Sequence, residues 1–104
     1  MKQDHQILDL LTEESAEIIQ TISKIKRFGL DSVYDGKTNQ ESFQQEFADF
    51  ILLCCILNHK YPEYFKFENL DNQFKIKFER LKKYLPFVKN INISELIHDN
   101  TNKR

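Results

Sequence analysis

Two long stretches of this chain repeat their apolar residues at steps of three and four, the spacing of one helix face. Between residues 4 and 28 the series is Leu8, Leu11, Ser15, Ile18, Ile22 and Ile25. Between residues 39 and 60 it is Phe43, Phe47, Phe50, Cys54 and Leu57. Two stripes of this kind are buried most simply by packing one helix against the other. The segment between them carries turn chemistry: Gly29 suits the position past a helix end, Asp35-Gly36 is a turn signal, and Thr38 with Glu41 forms a capping box for the second helix. Thr12, followed by two acids, has the chemistry of a cap and would allow a break within the first helix.

A third helix is expected over 69–85, with Leu70, Phe74, Phe78, Leu81 and Leu85 on its apolar side and Lys75, Lys77, Arg80, Lys82 and Lys83 making it basic. Pro86 limits it. A short helix near Ser94–His98 and a frayed end from Asn100 to Arg104 complete the chain. The aromatics of 61–67 (Tyr61, Tyr64, Phe65 and Phe67) serve packing more readily than base stacking. With only two glycines and two prolines, the fold class is all-α, and 104 residues make a single domain with its core at about 4–85. From Phe50 to Leu57 every residue is apolar, and a helix apolar all round is covered on more than one face. So small a chain needs help for that, which points to an antiparallel helical bundle completed by dimerisation.

The charge is nearly balanced, at −1, which argues against nucleic acid as a partner. No apolar run is long enough for a membrane span, and Met1-Lys2-Gln3-Asp4-His5 lacks the form of a signal peptide, so the expected location is the cytoplasm. Cys54 and Cys55 are neighbours on a helix, point in different directions, and read as buried thiols rather than a disulfide.

The chemistry lies in two acidic pairs, Glu14 with Glu17 and Glu46 with Asp49, each spaced to share a helix face. At about 100° per residue, measured from Ile18 on the first helix and Phe50 on the second, both stripes centre near about +20°. Glu14 and Glu46 then lie near about −40°, and Glu17 and Asp49 near about −100°. Equal offsets on antiparallel helices bring both acidic flanks to the same side, lining one groove. Four converging carboxylates repel unless cations or protons compensate them. Hard oxygen donors suit Mg²⁺, with Mn²⁺ as a substitute, and Mg²⁺ commonly bridges carboxylates and substrate phosphates. Lys24 continues the acidic column toward the connection, where it can reach a phosphate oxygen.

These residues resemble the MazG-like, all-α nucleoside triphosphate pyrophosphohydrolases, whose signature is EExxE, a gap, then ExxD. Here it reads Glu13-Glu14-Ser-Ala-Glu17 and Glu46-Phe-Ala-Asp49. The similarity extends to 23–30, to Thr38-Asn39 and to 77–81, covering most of residues 8 to 85, with a long gap between the motifs. The resemblance implies a helical core that forms a dimer or tetramer, and Mg²⁺ bound by Glu14, Glu17, Glu46 and Asp49. It implies cleavage of the α–β phosphoanhydride of a nucleoside triphosphate, with Glu13 or Glu17 as the base. Lys24, Lys77 and Arg80 are the substrate-binding candidates, the last two supplied across a dimer if they act.

Three other readings compete. A carboxylate-bridged di-iron bundle needs Glu-x-x-His on two helices; only Glu95-Leu-Ile-His98 fits, and His5 and His59 have no ligand spacing. A non-catalytic interaction protein would use the Phe50–Leu57 run as its partner surface, but packing does not need the acids. A phosphoribosyl-ATP pyrophosphohydrolase would run similar chemistry on another substrate.

Overall fold

The computed structural model describes residues 2–96. His98 and the expected frayed end, 100–104, lie outside the described residues. In order, the elements are α1 (Lys2–Phe28), β1 (Val33–Tyr34), β2 (Lys37–Thr38), α2 (Asn39–Lys60), α3 (Phe67–Tyr84) and a 3-10 helix (Pro86–Asn90), followed by a helical turn at 93–96. The fold is all-α apart from one two-stranded ribbon. The chain divides into two compact units, Met1–Tyr64 and Phe65–Arg104.

The first unit is an antiparallel helix pair. Its 27-residue α1 runs through Thr12 without a break, because the Thr12 hydroxyl turns back to donate to the Leu8 carbonyl instead of capping a new helix. α1 stops at Gly29, whose φ of +92° is a conformation L side chains rarely adopt. The connection then forms a hairpin. Val33 pairs with Thr38 and Tyr34 with Lys37, and Asp35 and Gly36 both take positive φ, 53° and 82°, as the tightest right-twisted hairpin turn requires. The turn signal at Asp35-Gly36 was legible; the two short strands flanking it were not expected. The capping box is formed as anticipated: Thr38 accepts from the Glu41 backbone, and the Glu41 carboxylate accepts from the Thr38 backbone and hydroxyl.

Asn39 closes the near end of the pair. It is almost fully buried, and its side-chain amide donates to the Gly29 carbonyl at 2.9 Å and the Lys24 carbonyl at 3.4 Å. The Gly29 carbonyl, just past the end of α1, has no helical partner and gains one here, while the Lys24 carbonyl, in the last turn of α1, accepts the amide as a second, longer bond. Backbone bonds from Asn39 to Ser32 and from Gln40 to Leu30 fasten the hairpin to the same end. Leu57 lies buried in α2, and Thr21 in α1. The opposite arc of α2 stays open: Ile51, Leu52 and Ile56 are exposed, and so is Phe47 at its border, against the expectation that it lies on the packed stripe. Cys54, on the packed stripe, is half-buried, and burial pushes its thiol up; Cys55 is exposed, against the expectation that both thiols are covered. Neither cysteine is in a disulfide.

In the second unit α3 packs on the 3-10 helix, where Val88 is buried. Pro86 opens that helix, as its locked φ and missing N–H allow, and so ends α3. Among the described residues, no helix is long and apolar enough to cross a membrane.

Candidate metal centre

The Asn39–Lys24 bond sets the heights of the facing side chains. Both helices rise about 1.5 Å per residue, so equal steps away from that bond stay level. Going seven residues back along α1 from Lys24 and seven on along α2 from Asn39 reaches Glu17 and Glu46. One helical turn further stand Glu14 and Asp49.

Glu14, Glu17 and Glu46 converge: each offers a carboxylate oxygen, and the three oxygens lie within 4.8 Å of one another. Asp49, the fourth acid of the expected set, is half-buried on α2 and is not one of the three. Glu13 is exposed on α1 and also lies outside the cluster. Lys77 and Arg80 are exposed residues of α3, in the second unit.

The electrostatics of the three acids show what crowding does. The Glu46 carboxyl is pushed up to about 8, chiefly by a hydrogen bond with Glu17, then by burial and by a bond with Glu14. Without a cation the cluster therefore keeps a proton on Glu46 at neutral pH and shares it with its neighbours. One oxygen of Glu14, Oε2, is buried with no hydrogen-bond partner. A buried carboxylate oxygen left unpaired is costly and calls for a donor or a cation. Three carboxylates, one carrying a proton and one with an orphaned oxygen, make a donor set that fits a hard divalent cation.

The acids open onto a groove of about 300 Å³, lined by Glu17, Gln20, Thr21 and Lys24 of α1, Tyr34 of the hairpin, and Asn39, Ser42 and Glu46 of α2. Thr21 is buried here, its hydroxyl donating back to the Glu17 carbonyl. The Lys24 ammonium sits 4.2 Å from the centre of the Tyr34 ring. Of the residues expected along one groove, Glu17, Glu46 and Lys24 line it, and Glu14 joins Glu17 and Glu46 in the acidic cluster. Sequence reasoning missed Tyr34, for which a β-branched and aromatic pair before Asp-Gly was the available signal, and it missed Asn39 as a clamp.

No family model matches the chain, and neither the curated proteins nor the solved structures gave a match.

Proposed function

We propose that this protein is a Mg²⁺-dependent hydrolase that splits the α–β phosphoanhydride of a nucleoside triphosphate, giving monophosphate and pyrophosphate. The observation that carries the reading is the convergence of Glu14, Glu17 and Glu46 at the wall of an open groove that also holds Lys24. The resemblance of the two acidic motifs to the MazG-like pyrophosphohydrolases supports it. In this reading Glu14, Glu17 and Glu46 hold the cation, with Asp49 one turn beyond Glu46 completing the set by a rotamer change. When bound, Mg²⁺ neutralises triphosphate charge and makes water easier to ionise. Glu17, which lines the groove, takes the proton of the attacking water; Glu13 is the alternative base. Lys24 exchanges its place over Tyr34 for a phosphate oxygen. Lys77 and Arg80, if they act, are supplied to the outer phosphates across a homodimer or tetramer; otherwise they are surface charge.

The test is product analysis. The full chain is incubated with canonical and modified nucleoside triphosphates and with phosphoribosyl-ATP, in Mg²⁺, Mn²⁺ or chelator. Monophosphate plus pyrophosphate, lost with chelator and in Glu46→Ala, is the expected result. Diphosphate plus phosphate would refute α–β cleavage, and no turnover of any substrate would refute the enzyme.

A further inference from the structure

The acidic groove does not end at Lys24 and Tyr34. A second hollow of about 340 Å³, lined by Lys24, Phe28, Ser32, Val33, Tyr34 and Asn39, shares three of its residues with the first. The character changes across that shared edge. On one side stand carboxylates, an amide and hydroxyls; on the other, Phe28, Val33 and Tyr34 expose large apolar side chains. Tyr34 is 68% exposed although Lys24 covers one part of its ring.

The shelf is also held in place. Positive φ at Asp35 and Gly36 sets the hairpin turn, the backbone bonds of Asn39 to Ser32 and Gln40 to Leu30 anchor its base to the start of α2, and the Asn39 amide ties that start to the Lys24 and Gly29 carbonyls. A cation over an aromatic face restrains both partners. An exposed aromatic on a pinned ribbon, continuous with a cation-binding groove, is preorganised to receive a flat apolar group joined to a charged one. A nucleotide has that make-up, with a planar base at one end and phosphates at the other.

We propose that the shelf of Phe28, Val33 and Tyr34 takes the nucleobase of the substrate, with Tyr34 as the stacking ring and Lys24 between base and phosphates. This rests on the nucleotide reading of the acidic groove. Tyr34 then governs affinity for the nucleoside part and leaves the phosphate part alone. The polar atoms of Ser32 at the shelf's edge are the available hydrogen-bonding groups for choosing among bases.

Calorimetry on the full chain in Mg²⁺ separates the two parts, using α,β-imido deoxynucleoside triphosphates of the four bases and, as a base-free probe, inorganic tripolyphosphate. Tyr34→Ala should weaken the favoured imido nucleotide roughly tenfold and leave tripolyphosphate within about twofold, with Tyr34→Phe close to wild type. Because Tyr34 is exposed, the alanine variant should fold, which circular dichroism checks. Unchanged nucleotide affinity in Tyr34→Ala, or an equal loss for both ligands, overturns the shelf assignment. So does wild-type binding of tripolyphosphate as tight as that of every nucleotide, which leaves the cation groove standing. A wild-type chain that binds neither ligand refutes the nucleotide reading and the shelf with it. Conversion of an oligomer to monomer by Tyr34→Ala would make the shelf a subunit contact and also overturn the assignment.

Discussion

Tyr64, just past the end of α2, donates its hydroxyl to Oδ2 of Asp4 in the first turn of α1 across 2.6 Å. This bond closes the far end of the helix pair, as Asn39 closes the near end. It is the main cause that holds the Asp4 carboxyl below its ordinary range, and it pushes the Tyr64 phenol up. A carboxyl lowered in the folded state stabilises the fold above its unfolded value, 3.8, and that support is lost as pH falls through the lower folded value. Tyr64→Phe should therefore lower the melting midpoint at neutral pH and flatten its fall in acid. Thermal melts of both proteins from neutral to strongly acid pH check this; parallel acid limbs would show that the bond contributes nothing.

Glu46 has the opposite sign. Its carboxyl is raised from 4.5 to about 8 in the folded chain. The stabilisation it gives is complete below its unfolded value and is lost as pH rises through about 8. In chelator, the melting midpoint should fall steadily between weakly acid and weakly alkaline pH. Glu46→Gln keeps a hydrogen-bond donor toward Glu17 without a titrating proton and should remove that slope. Mg²⁺ should raise the midpoint most at the alkaline end, where the carboxylates are ionised and free to bind it. A slope identical in wild type and Glu46→Gln would contradict the shared proton.

The same cluster predicts the kinetics. Glu17→Gln keeps the size of the side chain and removes its basicity, so turnover should fall by about 10² to 10⁴. If Glu17 holds the cation as well, Mg²⁺ affinity by calorimetry falls with it. Glu13→Gln serves as the control, and a loss confined to Glu13→Gln would move the base to that residue. Glu14→Gln should weaken cation binding by about 10- to 100-fold, comparable with other losses around metal sites.

Much of this site was legible in the chain because helices translate spacing into direction. Glu14 and Glu17 lie on one flank of the apolar stripe of α1 and Glu46, at the offset of Glu14, on the matching flank of α2, and the folded helices bring the three together. Wheel geometry gives direction around an axis and says little about reach. Asp49 is half-buried on the expected side and yet outside the three. Tyr34 was hidden for another reason. A two-residue strand such as Val33–Tyr34 is too short for alternation to register, and the cation over its ring comes from a helix ten residues earlier. Asn39 looked like any polar residue at a helix start. Its role depends on Gly29 ending α1 where the amide can reach the open Gly29 carbonyl and the Lys24 carbonyl of the last turn.

Asn39→Ala tests that clamp. Asn39 is 3% exposed, and truncation leaves the Gly29 and Lys24 carbonyls without its amide. Buried groups left unsatisfied cost about 1–3 kcal/mol, so urea unfolding should show a loss in that range with an unchanged slope. The lining of both hollows includes Asn39, so ligand affinity should drop as well. Asn39→Asp keeps the size but loses the donors, and should be no better than alanine. A stable Asn39→Asp would mean that packing, and not the two hydrogen bonds, holds this end.

The outward arc of α2 remains. Ile51, Leu52 and Ile56 are exposed, with Phe47 at its border, and Ile19 and Ile22 are exposed on α1. A pair of helices buries one stripe each, and α2 is apolar well beyond its stripe. Exposed apolar residues grouped on one face mark an interaction surface more often than a solvated one. A second copy is the partner expected for this face, since two-fold packing of helix pairs would give each arc a matching partner and make a four-helix core. Light scattering should give a dimer or tetramer at micromolar concentration. Ile51→Glu with Leu52→Glu should give monomers with a lower melting midpoint, since a charge buried in such an interface has no partner. If Lys77 and Arg80 serve a neighbouring copy's groove, the double variant should also lose turnover, while Mg²⁺ affinity, if Glu14, Glu17 and Glu46 hold the cation within one helix pair as proposed, should change little. A double variant that stays fully active as a monomer would confine the whole site to one chain.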